Sequence, residues 1–496
     1  MVRFKNLLEN KDFVICFEIS PGTNAKKFDQ FIKTGAEYGL FDAVSITDNL
    51  GGIPALPPDL LAKELASYGI PAIIHFSCKD KNRTQIESEL LRLWYQQTTD
   101  LLVMTGDHPS LNLQNPAKPV FDFDAVLTLL KISQINKNFF KGCVVNPFKL
   151  TVTETWLQYF KLYKKIKAGA NFVVTQSGFL PLALIQLKEI ITRGLTKSFS
   201  ELLKDDTLFS QEEDEKIKKI PFLVSVIYPS KRITSMLVEL KIPGILISSA
   251  LYTRLQSGKT SPLEEMAKFC AIVKGLGFKG LHICGMPYDL KKIESFKTLL
   301  ESYEKNWQEY LKEFDDVCIY KRNGNLVKYK MQSIFKNNKL VIPFHRISLK
   351  FIISHLFHEL FFNKKRFFFP LLKLLAKGIN KNKTLTKLIT WIEYFIKRWA
   401  YGCRECGDCK LYEFNYNCPF GGCTKGLING PCGGSFLGYC EMYPFKKKCV
   451  FVKAVEEAPR RKDIKKLLFP GETPFISPRN WAKKGFSSWL NFYLEN

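Results

Sequence analysis

The stretch FVICFEIS, Phe13 to Ser20, decides how the first half of the chain is read. Its residues are mostly β-branched or aromatic, apolar on both alternations, and it is too short for a buried helix. It reads as a strand covered on both faces, as parallel strands are. Runs of the same kind return at Asp42–Asp48, Ala72–Cys78, Leu101–Thr105, Gly142–Asn146, Phe172–Gln176, Phe222–Tyr228 and Gly280–Cys284. Helical periodicity separates them, as in Lys26–Tyr38, Pro58–Tyr68 and Ile86–Gln97. Eight strand–helix units fit an α/β (β/α)8 TIM barrel better than an open sheet. The gap after the sixth strand is longer than a barrel needs, and its acidic run, Glu212 to Glu215, predicts a solvated insertion over 196–219.

The chain has 496 residues, room for two or three domains. The expected division is a barrel over 1–290, a helical linker over 291–400, and a cysteine-rich module over 401–496 with an irregular, proline-containing tail. The first residues run into a strand by Phe13 and leave no apolar signal-peptide core, so a cytoplasmic protein is expected. The most apolar segment, Leu349–Leu375, is interrupted by His355, His358, Glu359 and Lys364 to Arg366. It predicts a docked amphipathic helix and no membrane span, with contact to a membrane surface as the minor reading. A formal charge of +26 comes mainly from lysines on solvated faces. It also favours polyanionic ligands such as a dinucleotide or a polyglutamylated cofactor. The basic tracts at 446–448 and 460–462 lack interleaved aromatics, and no nucleic-acid partner is expected.

Eight of the fourteen cysteines fall between Cys403 and Cys449: Cys403, Cys406, Cys409, Cys418, Cys423, Cys432, Cys440 and Cys449. The first three read C-x2-C-x2-C, a spacing that brings three thiolates to one centre from a tight loop, and Cys418-Pro419 offers a fourth. Eight sulfurs make two iron–sulfur clusters or two zinc sites. The tight triplet followed by Cys-Pro favours two 4Fe-4S clusters, with zinc as the alternative. A disulfide scaffold is disfavoured in a chain with no sign of secretion.

Function in such barrels sits at the C-terminal ends of the strands. Those positions here are Glu18 and Ser20, Thr47 and Asp48, His75 and Cys78, Asp107, Asn146, Thr175 and Gln176, and His282. A carboxylate inside Cys-Phe-Glu-Ile-Ser is costly to bury unless chemistry uses it. Glu18 therefore reads as an acid whose pKa is raised by apolar surroundings. Grouped with His75, Asp107, Lys165 and Gln176, it predicts an active site.

Glu18, Asp42-x4-Thr47, Pro71-x3-His75-x2-Cys78, Gly106-Asp107-x-Pro109 and Lys165-x3-Gly169-Ala170-x4-Thr175-Gln176 together resemble the methylenetetrahydrofolate reductase family, over roughly residues 10–290. Gly402-Cys403-x2-Cys406-Gly407-x-Cys409 and Asn429-Gly430-Pro431-Cys432-Gly433-Gly434 resemble a cysteine-rich C-terminal module found with some bacterial members. The resemblance implies FAD across the barrel mouth, contacted by Thr47, His75, Asp107 and Lys165. It implies Glu18 as the general acid that opens 5,10-methylenetetrahydrofolate, and Gln176 on the pterin, with 5-methyltetrahydrofolate as product in one-carbon metabolism and methionine synthesis. It leaves the donor open between NAD(P)H and a partner redox protein, and it is compatible with a homo-oligomer. Thr105 stands where many members carry an arginine, so a phosphate contact is missing or comes from another lysine. The alternative is a non-catalytic folate-binding adaptor whose cysteine module docks a partner such as a methyltransferase. Glu18 and Asp107, which binding does not need, argue against it.

Overall fold

The structure is a computed structural model, and it describes residues 3–23, 26–109, 115–341, 347–471 and 473–495. The chain divides into two compact units: Met1–Ile342 with Cys432–Lys446, and Pro343–Pro431 with Lys447–Asn496.

In the first unit eight parallel strands close a barrel in sequence order. They are β1 (Val14–Ile19), β2 (Ala43–Ile46), β3 (Ala72–Ser77), β4 (Asp100–Met104), β5 (Phe140–Val145), β6 (Phe172–Thr175), β7 (Phe222–Ile227) and β8 (Gly280–Cys284). The barrel closes between β1 and β8, where Cys16 is in register with His282. Its floor is apolar: Val14, Ala43, Ile73, Leu102 and Leu223 cluster with Phe4 and Leu8 of the helix Phe4–Asn10. That helix is fastened by the Asp100 carboxylate, which accepts from the Phe4 amide at 2.7 Å and from Arg3 at 3.1 Å. Strand side chains alternate faces with period two. Two and four residues beyond this apolar layer, the inward positions therefore become Cys16, Ser45 and His75, then Glu18, Thr47 and Ser77. The polar mouth is a continuation of the greasy floor along the same strands.

The segment 196–219 is solvated at Asp206, Glu212 and Glu215, but it is also folded and partly packed. It forms the helices Leu195–Leu203 and Gln211–Lys218. Phe199 is fully buried against Phe160 of the helix Val152–Lys167, with ring centroids 4.5 Å apart. Asp214, from the acidic run itself, is buried and accepts from the Thr196 amide and hydroxyl. Its neighbours Glu212 and Glu215 do face water. Acidic composition concealed one helical face that carries Asp214 and Ile217 inward.

After the barrel, β9 (Val317–Arg322) and β10 (Asn325–Lys330) form an antiparallel hairpin around Asn323-Gly324. The segment Cys432–Lys446 returns to this unit: Phe436 meets Tyr320 of β9 edge-on at 4.9 Å, and Arg322 lies 4.7 Å over Phe445.

The second unit contains the helices Leu349–Phe361, Phe369–Lys381 and Lys383–Tyr401. The tail expected to be irregular holds two further helices, Arg461–Leu468 and Ser488–Glu495, with Pro470, Pro474 and Pro478 confined between them. Leu490 and Tyr493 of the last helix form a small core with Ala376. Glu393, fully buried, accepts from Lys397 at 2.7 Å, from the hydroxyls of Ser487 and Ser488 at 2.5 Å each, and from the Trp489 amide at 3.2 Å. Among the described residues no helix is long and apolar enough to cross a membrane.

Candidate active site and cysteine centre

Three titratable groups converge inside the mouth. Ligand-capable atoms of Glu18 (β1), His75 (β3) and His282 (β8) all lie within 4.8 Å of one another. The two imidazoles stack at 5.7 Å with a 27° tilt. His282 is held from both sides: its Nε2 lies 2.7 Å from the Ser45 hydroxyl and its Nδ1 3.3 Å from that of Ser225. His75 Nε2 is buried with no partner. Burial pushes His75 down to about 3, with His282 adding to it, and pushes His282 down to about 4. Burial also raises Glu18 to about 7. Near neutral pH both imidazoles are uncharged, while Glu18 is poised to give up a proton. A general acid working at neutral pH needs that setting.

Around this centre, Thr47 is buried and shares a 2.7 Å hydrogen bond with Ser20. The Ser20 amide donates to the Tyr288 hydroxyl at 3.2 Å. Asp48 accepts from the Ser77 amide at 3.1 Å and from Lys81 at 2.7 Å. Gln176 follows β6 at the same end, where its Oε1 accepts from the Ser177 amide. Asp107 follows β4 one residue after Gly106. Gly106 has φ +84°, and a Cβ there would meet the Ser77 hydroxyl at 2.4 Å, so only glycine fits. Lys79, fully buried, packs against the same glycine and pairs with Asp80.

Lys165 is not brought to the Glu18 centre. It lies on the helix Val152–Lys167 and donates to the Val144 carbonyl of β5. Its company is basic, because Lys161, Lys164 and Lys165 are all buried on this helix, near Asp124. Burial pushes Lys164 down to about 7 and Lys165 to about 8. Lysines so desolvated favour an anion beside them. In the mouth, the orphaned His75 Nε2 and the glycine-only turn at Gly106 fit a bound cofactor such as FAD.

Asn146, expected in the mouth, is engaged by the returning segment. Its Nδ2 donates to Gly433 O at 2.6 Å and to Gly244 O at 2.9 Å. Lys149, fully buried, donates to the carbonyls of Gly433 and Ser435 at 2.6 Å each, and Gln158 to that of Cys432 at 3.0 Å. His282, singled out in β8, joins the site, and Ser45 and Ser225 belong to it beyond the residues singled out from sequence. Their signal was the period-two alternation that also selects Thr47 and His75.

In the second unit Cys403, Cys406, Cys409 and Cys418 line one cavity. The Glu405 amide points at Cys403 Sγ and the Gly421 amide at Cys418 Sγ, each at 3.3 Å. Lys397 lies 3.6 Å from Cys409 Sγ. Burial works against the Lys397 charge, yet Cys409 and the Glu393 carboxylate hold its pKa up. Burial, together with the other three thiols, pushes Cys418 up to about 12. Four sulfurs cannot ionise together here without a compensating cation, and amide donors aimed at sulfur are what a thiolate-bound centre uses. The four sulfurs share one cavity with Lys397, although no three of them lie within 4.8 Å of one another. Of the other four cysteines, Cys432 and Cys440 belong to the first unit and Cys423 and Cys449 to the second.

Comparison with known proteins agrees at both ends of the chain. Residues 3–194 match the family model described as methylenetetrahydrofolate reductase. Residues 382–480 match the one described as methylene-tetrahydrofolate reductase C terminal. No curated protein matches significantly. A solved structure from Clostridium thermocellum, described as binding two copies of 5-methyl-5,6,7,8-tetrahydrofolic acid, is similar over 62% of this chain and 100% of its own, at 17% identity and a TM-score of 0.40. That likeness is too distant to carry an argument. The first six barrel strands are thus similar to methylenetetrahydrofolate reductase, and the stretch holding the cysteines is similar to the domain at such a reductase's C terminus.

Proposed function

We propose that this chain reduces 5,10-methylenetetrahydrofolate to 5-methyltetrahydrofolate with FAD. The observation that carries the reading is Glu18, an acid raised to about 7 beside two neutral imidazoles, on the first strand of a barrel whose residues 3–194 match the reductase family model. Glu18 gives its proton to the bridging nitrogen as the five-membered ring opens, leaving an electrophilic methylene iminium on the folate. Gln176 orients the pterin. Thr47, His75 and Asp107 would hold the flavin. When bound and already reduced by its electron donor, the flavin would supply the hydride that converts the methylene carbon to a methyl group. The uncharged pair His75 and His282 keeps the centre free of fixed charge, so the Glu18 proton is not held back by a neighbouring anion.

The cysteine module, in this reading, carries two 4Fe-4S clusters that bring electrons from a redox protein. Zinc in its place would leave NAD(P)H as the donor. The supporting features are the four sulfurs on one cavity, the amides aimed at them and the Lys397 cation. Visible absorption of the purified protein tests both parts: resolved flavin bands support the barrel assignment, and a broad brown shoulder supports the clusters. A colourless protein that turns over no folate after incubation with FAD would overturn the reading.

A further inference from the structure

The second unit exposes far more large apolar side chains than a solvated surface needs. The helix Lys383–Tyr401 shows the pattern most clearly. Leu388, Trp391, Phe395 and Trp399 recur at steps of three and four, so they form one stripe along one face. That stripe faces outward: Trp391 is 64% exposed, Phe395 65% and Trp399 89%. The opposite face carries the buried residues Glu393, Tyr394 and Lys397 inward. The preceding helix repeats the arrangement, with Leu371, Leu374 and Leu375 exposed while Ala376 is buried. The turn before it presents Phe367, 91% exposed, and Phe368. In Leu349–Phe361 the exposed apolar residues include Leu349, Ile352, Ile353, Leu356 and Leu360. Patches of this kind mark interaction sites.

Charge selects the occupant. From Leu349 to Tyr401 the chain has eleven lysines and arginines against two glutamates. Lys377, Lys381, Lys383 and Lys387 are exposed, while Glu393 is buried in its own network. A second copy of this chain would bring the same cations face to face, which opposes a symmetric dimer through this surface. An anionic bilayer satisfies both halves of the pattern. Trp, Phe and Leu enter the headgroup–acyl boundary, while lysine ammoniums reach the phosphates above it. We propose that the helices Leu349–Phe361, Phe369–Lys381 and Lys383–Tyr401 are a monotopic membrane-surface anchor for anionic lipid. They lie in the interface and do not cross it. The proposal is independent of the reductase reading.

The full chain is floated with vesicles of phosphatidylcholine alone and of phosphatidylcholine with phosphatidylserine. It should float with the second and not the first, and less so as salt rises. Trp391→Ser with Trp399→Ser, at sites too exposed to matter for folding, should weaken flotation by at least about tenfold and remove the blue shift of tryptophan emission on vesicle addition. Lys377→Glu with Lys387→Glu should weaken it while leaving circular dichroism unchanged. Absence of flotation with either vesicle would overturn the proposal. Unchanged flotation of the tryptophan variant would do the same. So would a parent dimer in light scattering that the tryptophan substitutions dissolve, because a protein partner would then own the surface.

Discussion

Glu18 keeps its proton to about 7 where a free glutamate side chain gives it up near 4.5, and burial is the cause. Protonated at acid pH it carries no buried charge, and stability is lost as pH rises through that window because burial disfavours its ionised form. Glu18→Gln should therefore melt at the parent's temperature at pH 4 and above it at pH 8, as scanning calorimetry at the two values would show. The same substitution should cut folate turnover by ~10²–10⁴-fold while flavin still binds and is reduced, because only the proton donor is gone. Near-normal turnover would rule Glu18 out as the acid. His75 and His282 work in the opposite direction: both are held below their ordinary range by burial, so they cost stability as pH falls from near 6.5 toward 3. His75→Gln should make the protein less sensitive to acid unfolding. Glu18 and His75 were legible in the sequence because polar residues at the ends of apolar strands are conspicuous. Lys165 was only half legible. Sequence order put it with the site, but its seat on a helix directs it to the basic group behind β5, a placement that linear spacing does not encode.

At the scale of single elements, the loop after β4 depends on Gly106. Gly106→Ala adds a Cβ against the Ser77 hydroxyl at a left-handed backbone position. It should lower flavin affinity by displacing Asp107, measurable by equilibrium dialysis, with little change in far-ultraviolet circular dichroism. The segment Cys432–Lys446 is held by Asn146, Lys149 and Gln158. Lys149→Met removes charged hydrogen bonds worth about 1.5–3 kcal/mol each. Amide exchange should then quicken across 432–446 while the barrel strands keep their protection. Unchanged exchange would mean that the aromatic contacts of Phe436 and Phe445 suffice. All eight strands lie within two residues of their expected bounds, because continuous runs of Val, Ile and Phe between helical periods have few other readings. The hairpin β9–β10 escaped, since Val317–Lys330 mixes lysines into both strands and looks like linker. The packed helices of 196–219 escaped for a similar reason: their charged residues outnumber the few that face inward.

For the whole molecule, the decisive measurement is metal content. Anaerobic purification should give about eight irons per chain if two cubanes are present. Two zincs and no iron would make the module a scaffold while leaving the barrel chemistry as proposed. The four cysteines on one cavity were readable as C-x2-C-x2-C with Cys-Pro, since local spacing alone brings them together. The allotment of Cys432 and Cys440 to the barrel unit was not, because it depends on contacts with Asn146 and Gln158 more than 270 positions earlier. That return has a consequence for anyone cutting the gene. The backbone passes between the two units three times, after Ile342, after Pro431 and after Lys446. No single cut yields two self-sufficient halves, and a barrel ending at Ile342 would lack the Gly433 and Ser435 carbonyls to which Lys149 donates. Supplied as a separate polypeptide, 343–496 should rescue it in trans, so that the pair behaves as a split protein whose reassembly is nucleated by fifteen borrowed residues.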